Sequence, residues 1–168
     1  MGINPGMRSA AIGHHFAGYS NRFWKLLYES TLVPQVLGSV DDVRLPEWGF
    51  GITNLVPRPT SGINALDKDE YVAALPALRR KVRRWKPQFV ALVGVTLYRA
   101  IYDAPFSGLG PQAVDFEGAR LFVLPNPSGR NANFSYAEML AAFRALRRYA
   151  TKAARGRRGS PEGLRERN

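Results

Sequence analysis

The chain has 168 residues, 24 Lys+Arg against 13 Asp+Glu, a formal net charge of +11 and 45% hydrophobic residues, which fits one folded domain with its own core and argues against two full ones. It has no cysteine, so disulfides, thiolate zinc sites, iron–sulfur clusters and a cysteine nucleophile are excluded. No run reaches the roughly 18 apolar residues of a membrane span and no charged segment followed by an apolar block marks a signal peptide, so the expectation is a soluble, cytoplasmic monomer (nucleoid-associated if bacterial) with no membrane partner.

In chain order, residues 20–32 read as a helix with Ser20 as N-cap and Phe23, Leu26, Leu27 and Tyr28 on its apolar side. Residues 33–50 mix Pro, Gly, Asp and apolar residues and read as irregular. Gly51–Val56 suggests a short strand, stopped by Pro57 and Pro59. Asp67 with Glu70 three residues on resembles a capping box, and Tyr71, Leu75, Leu78, Val82 and Trp85 follow at helical spacing around Pro76. Phe89–Val93 is a continuous apolar run of strand length, as a central parallel strand requires. Val95–Tyr102 predicts a short helix and Leu121–Leu124 a second buried strand. Met139, Leu140, Phe143 and Leu146 give the last helix, 135–152, an apolar side. Strands alternating with helices imply an α/β sandwich. From residue 153 the apolar stripe is lost, so 1–152 is read as the domain and 153–168 as a basic, disordered tail.

The charge is uneven. Residues 144–168 carry nine Lys/Arg against Glu162 and Glu166, and six basic residues cluster at Arg79, Arg80, Lys81, Arg83, Arg84 and Lys86. Such a balance fits a polyanionic partner, commonly nucleic acid, although a helix face of this kind is more often simply solvated.

Two Asn-Pro loops remain: Gly2-Ile3-Asn4-Pro5-Gly6, and Asn126-Pro127-Ser128-Gly129-Arg130-Asn131 directly after the second buried strand. Ligands in parallel sheets bind beyond the carboxyl ends of strands. The only histidines, His14 and His15, are adjacent, without the spaced acidic partners of a metal site. Nucleotide-binding glycine fingerprints and a serine nucleophile elbow are absent. The loops offer amides and hydroxyls but no acids. An amide orients water and hydrogen-bonds a base edge but is no general base. That chemistry suits a leaving group that departs with little help.

Taken in order, Gly2–Gly6, Ser20-Asn21-Arg22-Phe23-Trp24 and Asn126–Gly129, with Gly51–Val56 and Arg58-Pro59-Thr60 between them, resemble the mismatch-specific uracil/thymine-DNA glycosylases, the MUG/TDG family of the uracil-DNA glycosylase superfamily. The resemblance covers roughly residues 1–150. It implies a three-layer α/β/α sandwich around a short, mostly parallel sheet. It also implies a cofactor-free, monofunctional DNA repair hydrolase of base excision. Such an enzyme takes double-stranded DNA, flips uracil out of a G·U mismatch and cuts its N-glycosidic bond, leaving an abasic site. Thymine from G·T and other damaged pyrimidines are further candidate substrates.

The resemblance further implies residue roles. Asn4 positions the water, Phe16 stacks on the flipped base, and backbone N–H groups near Ile3 and Phe16 meet the uracil edge. Gly6, Ser9, Asn54 and Asn126 complete the substrate pocket, with Asn54 tuning base preference. The loop of Pro127, Ser128, Gly129, Arg130 and Asn131 enters the minor groove, with Arg130 as the wedge. In the family a buried strand leads into the first loop, whereas Met1 stands immediately before Gly2 here. About a dozen upstream residues are therefore expected, enough for a strand of typical length and a lead-in. The competing readings are a non-catalytic DNA-binding remnant of the family and an unrelated α/β protein with two Asn-Pro turns. Removal of 153–168 should weaken DNA binding uniformly across sequences and flatten its salt dependence, leaving base choice unchanged, in titrations over a salt series.

Overall fold

The computed structural model describes residues 1–62, 65–102, 106 and 108–158. Its helices are α1 (Met7–Ile12), α2 (Phe23–Glu29), a 3₁₀ helix (Ser39–Trp48), α3 (Lys68–Trp85), α4 (Val95–Ile101) and α5 (Tyr136–Arg158), and its strands are β1 (Phe89–Val93), β2 (Gly110–Phe116) and β3 (Ala119–Leu124). The sheet order is β1-β3-β2, with β1 parallel to β3 and β2 antiparallel to it.

Both central strands are buried on two faces, which is why they read as unbroken apolar runs. Val90 and Leu92 of β1 and Leu121 and Val123 of β3 pack with Leu78, Val82, Leu97 and Tyr98 of α3 and α4. Val93, Phe122 and Leu124 turn the other way, onto Phe23, Leu26, Met139 and Phe143 of α2 and α5. The result is an α/β/α sandwich, the fold class the sequence predicts.

The sheet continues past β1 through the first residues of the chain. The Met1 nitrogen donates to Ala91 O (2.7 Å) and its carbonyl accepts from Val93 N (2.8 Å), the pattern of a parallel ladder. On its other side Gly2 donates to Thr53 O and accepts from Leu55 N, both at 2.9 Å, a parallel bridge with Asn54. The expected strand 51–56 is therefore this single bridge extended by Val56 N to Ile3 O. It stops where Pro5 offers no N–H.

Other expectations shift. α2 begins at Phe23, not Ser20, because Arg22 N–H is held by Pro127 O and Asn21 Oδ1 accepts the Phe23 N–H. Residues 39–48 of the stretch read as irregular form the 3₁₀ helix. α3 starts at the predicted cap, with Asp67 N–H donating to Glu70 Oε1, and runs through Pro76. α1 and β2 were not anticipated. Glu117 and Gly118, at φ 54° and 80°, form the tight turn joining β2 to β3. α5 continues to Arg158, so residues 153–158 of the expected tail are helical. The rest of that tail, 159–168, lies outside the described residues.

Within the basic cluster, Arg79 and Arg83 both bind Glu117, tying α3 to the hairpin turn and holding the Glu117 carboxyl below its usual range. No helix among the described residues is long and apolar enough to cross a membrane. Phe143 is fully buried and meets Phe23 edge-on at 6.3 Å. Phe143→Ala should cost about 3–5 kcal/mol of stability, read as a lowered midpoint with unchanged slope in urea unfolding.

Candidate active site

A cleft of about 1260 Å³ opens where β1 and β3 end, at Val93, Gly94 and Asn126. Asn4, Ile3, Gly6, Ser9, Phe16, Asn54, Asn126, Ser128, Arg130 and Asn131 all line it, so the two Asn-Pro loops meet in one site. Pro127 and Gly129 lie outside the lining. Pro127 is buried, and a Cβ on Gly129 would lie 2.5 Å from Ser20 Cβ and 2.6 Å from its carbonyl oxygen. Their place in the structure is therefore to seat the second loop on the Ser20–Arg22 segment. A smaller cleft of about 470 Å³, lined by Arg83, Lys86, Glu117 and Arg120, lies at the opposite end of β1, beside Phe89.

The Asn4 amide has a determined orientation. Its Nδ2 donates to Thr60 Oγ1 (2.7 Å) and Arg58 O (3.0 Å). The Thr60 hydroxyl donates its own proton to Gly62 O (2.8 Å), so toward Asn4 it can only accept. A carbonyl also only accepts. The amide nitrogen must therefore face the 58–60 segment. Asn4 Oδ1, which has no hydrogen-bond partner among the described residues, is left as a free acceptor. Arg58 is fixed in turn by a two-bond pair with Glu70 (2.6 and 2.7 Å), which, with the Asp67 N–H, lowers the Glu70 carboxyl to about 2. The start of α3 thus braces the backbone that holds Asn4.

Phe16 sits at φ 52°, a left-handed conformation that bulky residues rarely adopt. Its neighbours are pinned by side chains. His15 N–H donates to Asp42 Oδ2, His15 O accepts from Trp24 Nε1, Ala17 N–H donates to Ser9 Oγ, and Ala17 O accepts from Arg8 Nε. Ser9 is buried with its hydroxyl oxygen engaged in this way, so it shapes the loop from within the cleft wall. The Phe16 ring stacks on Phe23 at 4.0 Å and touches the position where a Gly2 Cβ would stand, at 3.2 Å. Neither Phe16 N–H nor Ile3 N–H has a hydrogen-bond partner among the described residues. In the second loop, Asn126 Oδ1 takes Ser128 N–H, Asn131 Nδ2 donates to Asn126 O, and Arg130 reaches Ser61 O at 3.1 Å.

Two features escaped the sequence reading. Thr60 orients Asn4 from 56 residues away. Asp42, 6% exposed, accepts from both histidine rings, with His14 Nδ1 at 2.9 Å and His15 Nδ1 at 2.8 Å. Burial pushes the Asp42 carboxyl up, but the His14 and His15 hydrogen bonds outweigh it and leave the group below its usual range. The paired histidines were the visible signal, but nothing in the spacing joins them to residue 42. No group of three potential ligands able to hold a metal exists among the described residues.

Among the described residues the cleft is lined by no carboxylate, and its charged members are Arg8 and Arg130. No carboxylate lies within ion-pair distance of either among the described residues. Such a cleft suits an anionic ligand and offers an amide oxygen as an acceptor. No carboxylate or histidine that could act as a general base lines it among the described residues.

Residues 1–147 match the uracil DNA glycosylase superfamily, and the chain belongs to it. The protein is therefore of the uracil-DNA-glycosylase class: a hydrolase of DNA base excision repair that acts on DNA.

The Asp42 contacts yield a pH prediction. A carboxyl depressed in the folded state stabilises fully above its unfolded pKa, near 4, and that contribution is lost as pH falls through the lower folded value. Asp42→Asn should cost about 2 kcal/mol at neutral pH. In urea unfolding at a series of pH values, the gap to the parent should narrow below about pH 4.

Proposed function

We propose that the chain is a monofunctional, mismatch-directed uracil-DNA glycosylase of the MUG/TDG type, acting on G·U and, more slowly, G·T. The observation that carries this reading is the free Asn4 Oδ1 acceptor in a cleft that no carboxylate lines among the described residues.

In the proposed reaction the target nucleotide leaves the helix, at a cost of a few kcal/mol that is least at a mismatch. The extruded base lies on Phe16, and the N–H groups of Ile3 and Phe16 donate to its edge. The C1′–N1 bond breaks and its electron pair stays on N1. Donors aimed at the developing anion stabilise that charge in a site screened from water. Asn4 Oδ1 accepts one hydrogen of a water molecule and turns its lone pair toward C1′. The water oxygen bonds to the oxocarbenium-like carbon, its proton passes to solvent, and an abasic site remains. With no base lining the cleft among the described residues, the rate depends on leaving-group stability. That favours uracil in a weakened pair over a normally paired base.

The 126–131 loop carries Arg130 in the lining of the cleft, where its guanidinium can fill the space of the extruded nucleotide and stack by its plane. Asn54, bridged to Gly2 beside the pocket, is placed to bias base choice.

Base release from G·U, G·T, A·U and single-stranded U substrates, read by alkaline strand cleavage, tests this reading. Asn4→Ala should reduce G·U release by about a hundredfold while leaving affinity for an abasic duplex within a few-fold of the parent. Thr60→Val, which removes the acceptor that turns the amide, should lower the single-turnover rate about tenfold without weakening binding. A chain that folds and binds abasic DNA yet releases no base would be a DNA-binding remnant, and the proposal would fail.

A further inference from the structure

Arg8 and Tyr19 both line the cleft, and neither has a part in the proposed reaction. Tyr19 is 89% exposed, the most exposed of the large hydrophobic side chains described. It is nevertheless held in place. The Arg8 guanidinium carbon lies 3.9 Å from the ring centroid, and Arg8 Nη1 donates to the phenol oxygen at 2.7 Å. Arg8 is anchored in turn by Nε to Ala17 O (2.9 Å), on the loop that carries Phe16.

The donor inventory points outward. A guanidinium has five N–H groups, and the contacts within the protein use two. The phenol oxygen accepts from Arg8 and so keeps its own proton for another acceptor. Both residues line the cleft, so these free donors are available to a ligand there. No carboxylate competes for them among the described residues. Planar N–H forks and a polarised hydroxyl, with no counter-charge, match phosphate oxygens. An extruded nucleotide whose base reaches Phe16 leaves its sugar–phosphate at the mouth of the cleft.

We infer that Arg8 and Tyr19 form a preorganised phosphate seat for the backbone of the extruded nucleotide. This rests on the reading of the cleft as the site for an extruded nucleotide. Arg8 supplies charge and fork, and Tyr19 supplies a hydroxyl and keeps the guanidinium in plane. Ordering the pair before binding reduces the side-chain entropy lost on contact.

The test uses the full chain and a short duplex bearing an abasic analogue opposite guanine, with affinity followed by fluorescence anisotropy over a salt series. Loss of one phosphate contact should reduce the slope of log K against log salt by about 0.9. Arg8→Gln should show that reduction with roughly tenfold weaker binding. Arg8→Lys should keep the slope but bind more weakly, since it keeps charge and loses the fork. Tyr19→Phe should weaken binding a few-fold at unchanged slope. Arg44→Gln, away from the cleft and paired with Glu47, should match the parent.

A duplex with a single neutral methylphosphonate beside the abasic analogue, on the 5′ or the 3′ side, completes the cycle. At one of the two linkages it should weaken the parent but not Arg8→Gln. An unchanged slope in Arg8→Gln, or equal methylphosphonate effects in parent and variant at both linkages, would overturn the seat. Uracil release by the same preparations separates the two readings. Release with an unchanged Arg8→Gln slope defeats the seat alone. The slope change without release upholds the seat and defeats the catalytic proposal.

Discussion

The pairing of the first six residues with two neighbours at once determines most of this site. Met1 bonds to β1, Gly2 to residues 53 and 55, and Gly6 bridges Thr60. Between those anchors Asn4 has little freedom. A side chain at residue 2 would displace the Asn54 amide, since a Cβ there would lie 2.6 Å from Asn54 Oδ1. Such a contact cannot be relieved without moving either Asn54 or the Phe16 ring behind it. The glycine thus lets two site residues, Asn54 and Phe16, pack against one backbone position.

The same economy of partners governs the polar groups. Around Phe16, backbone groups of the flanking residues are held by side chains, and the strained residue itself keeps a free N–H. Strain of this kind costs of order 1–3 kcal/mol and persists only where the surroundings over-determine it. Asp42 contributes three hydrogen bonds to that restraint. The Asn4 amide follows the same logic, with its donors satisfied on the 58–60 side and its acceptor left over. In both places a group becomes available to substrate because its neighbours have been committed within the protein.

The parts of the fold legible in the sequence are those where burial alone sets the pattern. Phe89–Val93 and Leu121–Leu124 are apolar without alternation because helices cover both faces. The α3 cap is legible because Asp67 and Glu70 are local partners. β2 is not, since Gly110-Pro111-Gln112 looks like a turn and most of the strand is solvent-facing. α1 has six residues, too few for a period to show. α5 outruns its apolar stripe because alanine and arginine favour helix without burial. In the site, motif order assigns the residues that line the cleft. It does not reveal Thr60, Asp42 or the Arg8–Tyr19 pair, whose importance comes from contacts between segments distant in sequence or from exposure.

The net charge is a poorer guide than its placement. Arg83, Lys86 and Arg120 gather beside Phe89, the first residue of β1, while the cleft begins at Val93, the last. Four residue steps along a strand span about 13 Å, beyond the roughly 10 Å Debye length at 0.1 M salt. Charges at that pole are therefore largely screened from a nucleotide in the cleft, and Glu117 engages two arginines of the cluster within the protein. They add to a long-range field that draws DNA at low ionic strength. Arg8 and Arg130 are the cations that line the cleft, and no carboxylate lines it among the described residues. The Asn4 amide lines the same cleft without adding a negative charge, so it leaves the field of the two arginines undiminished.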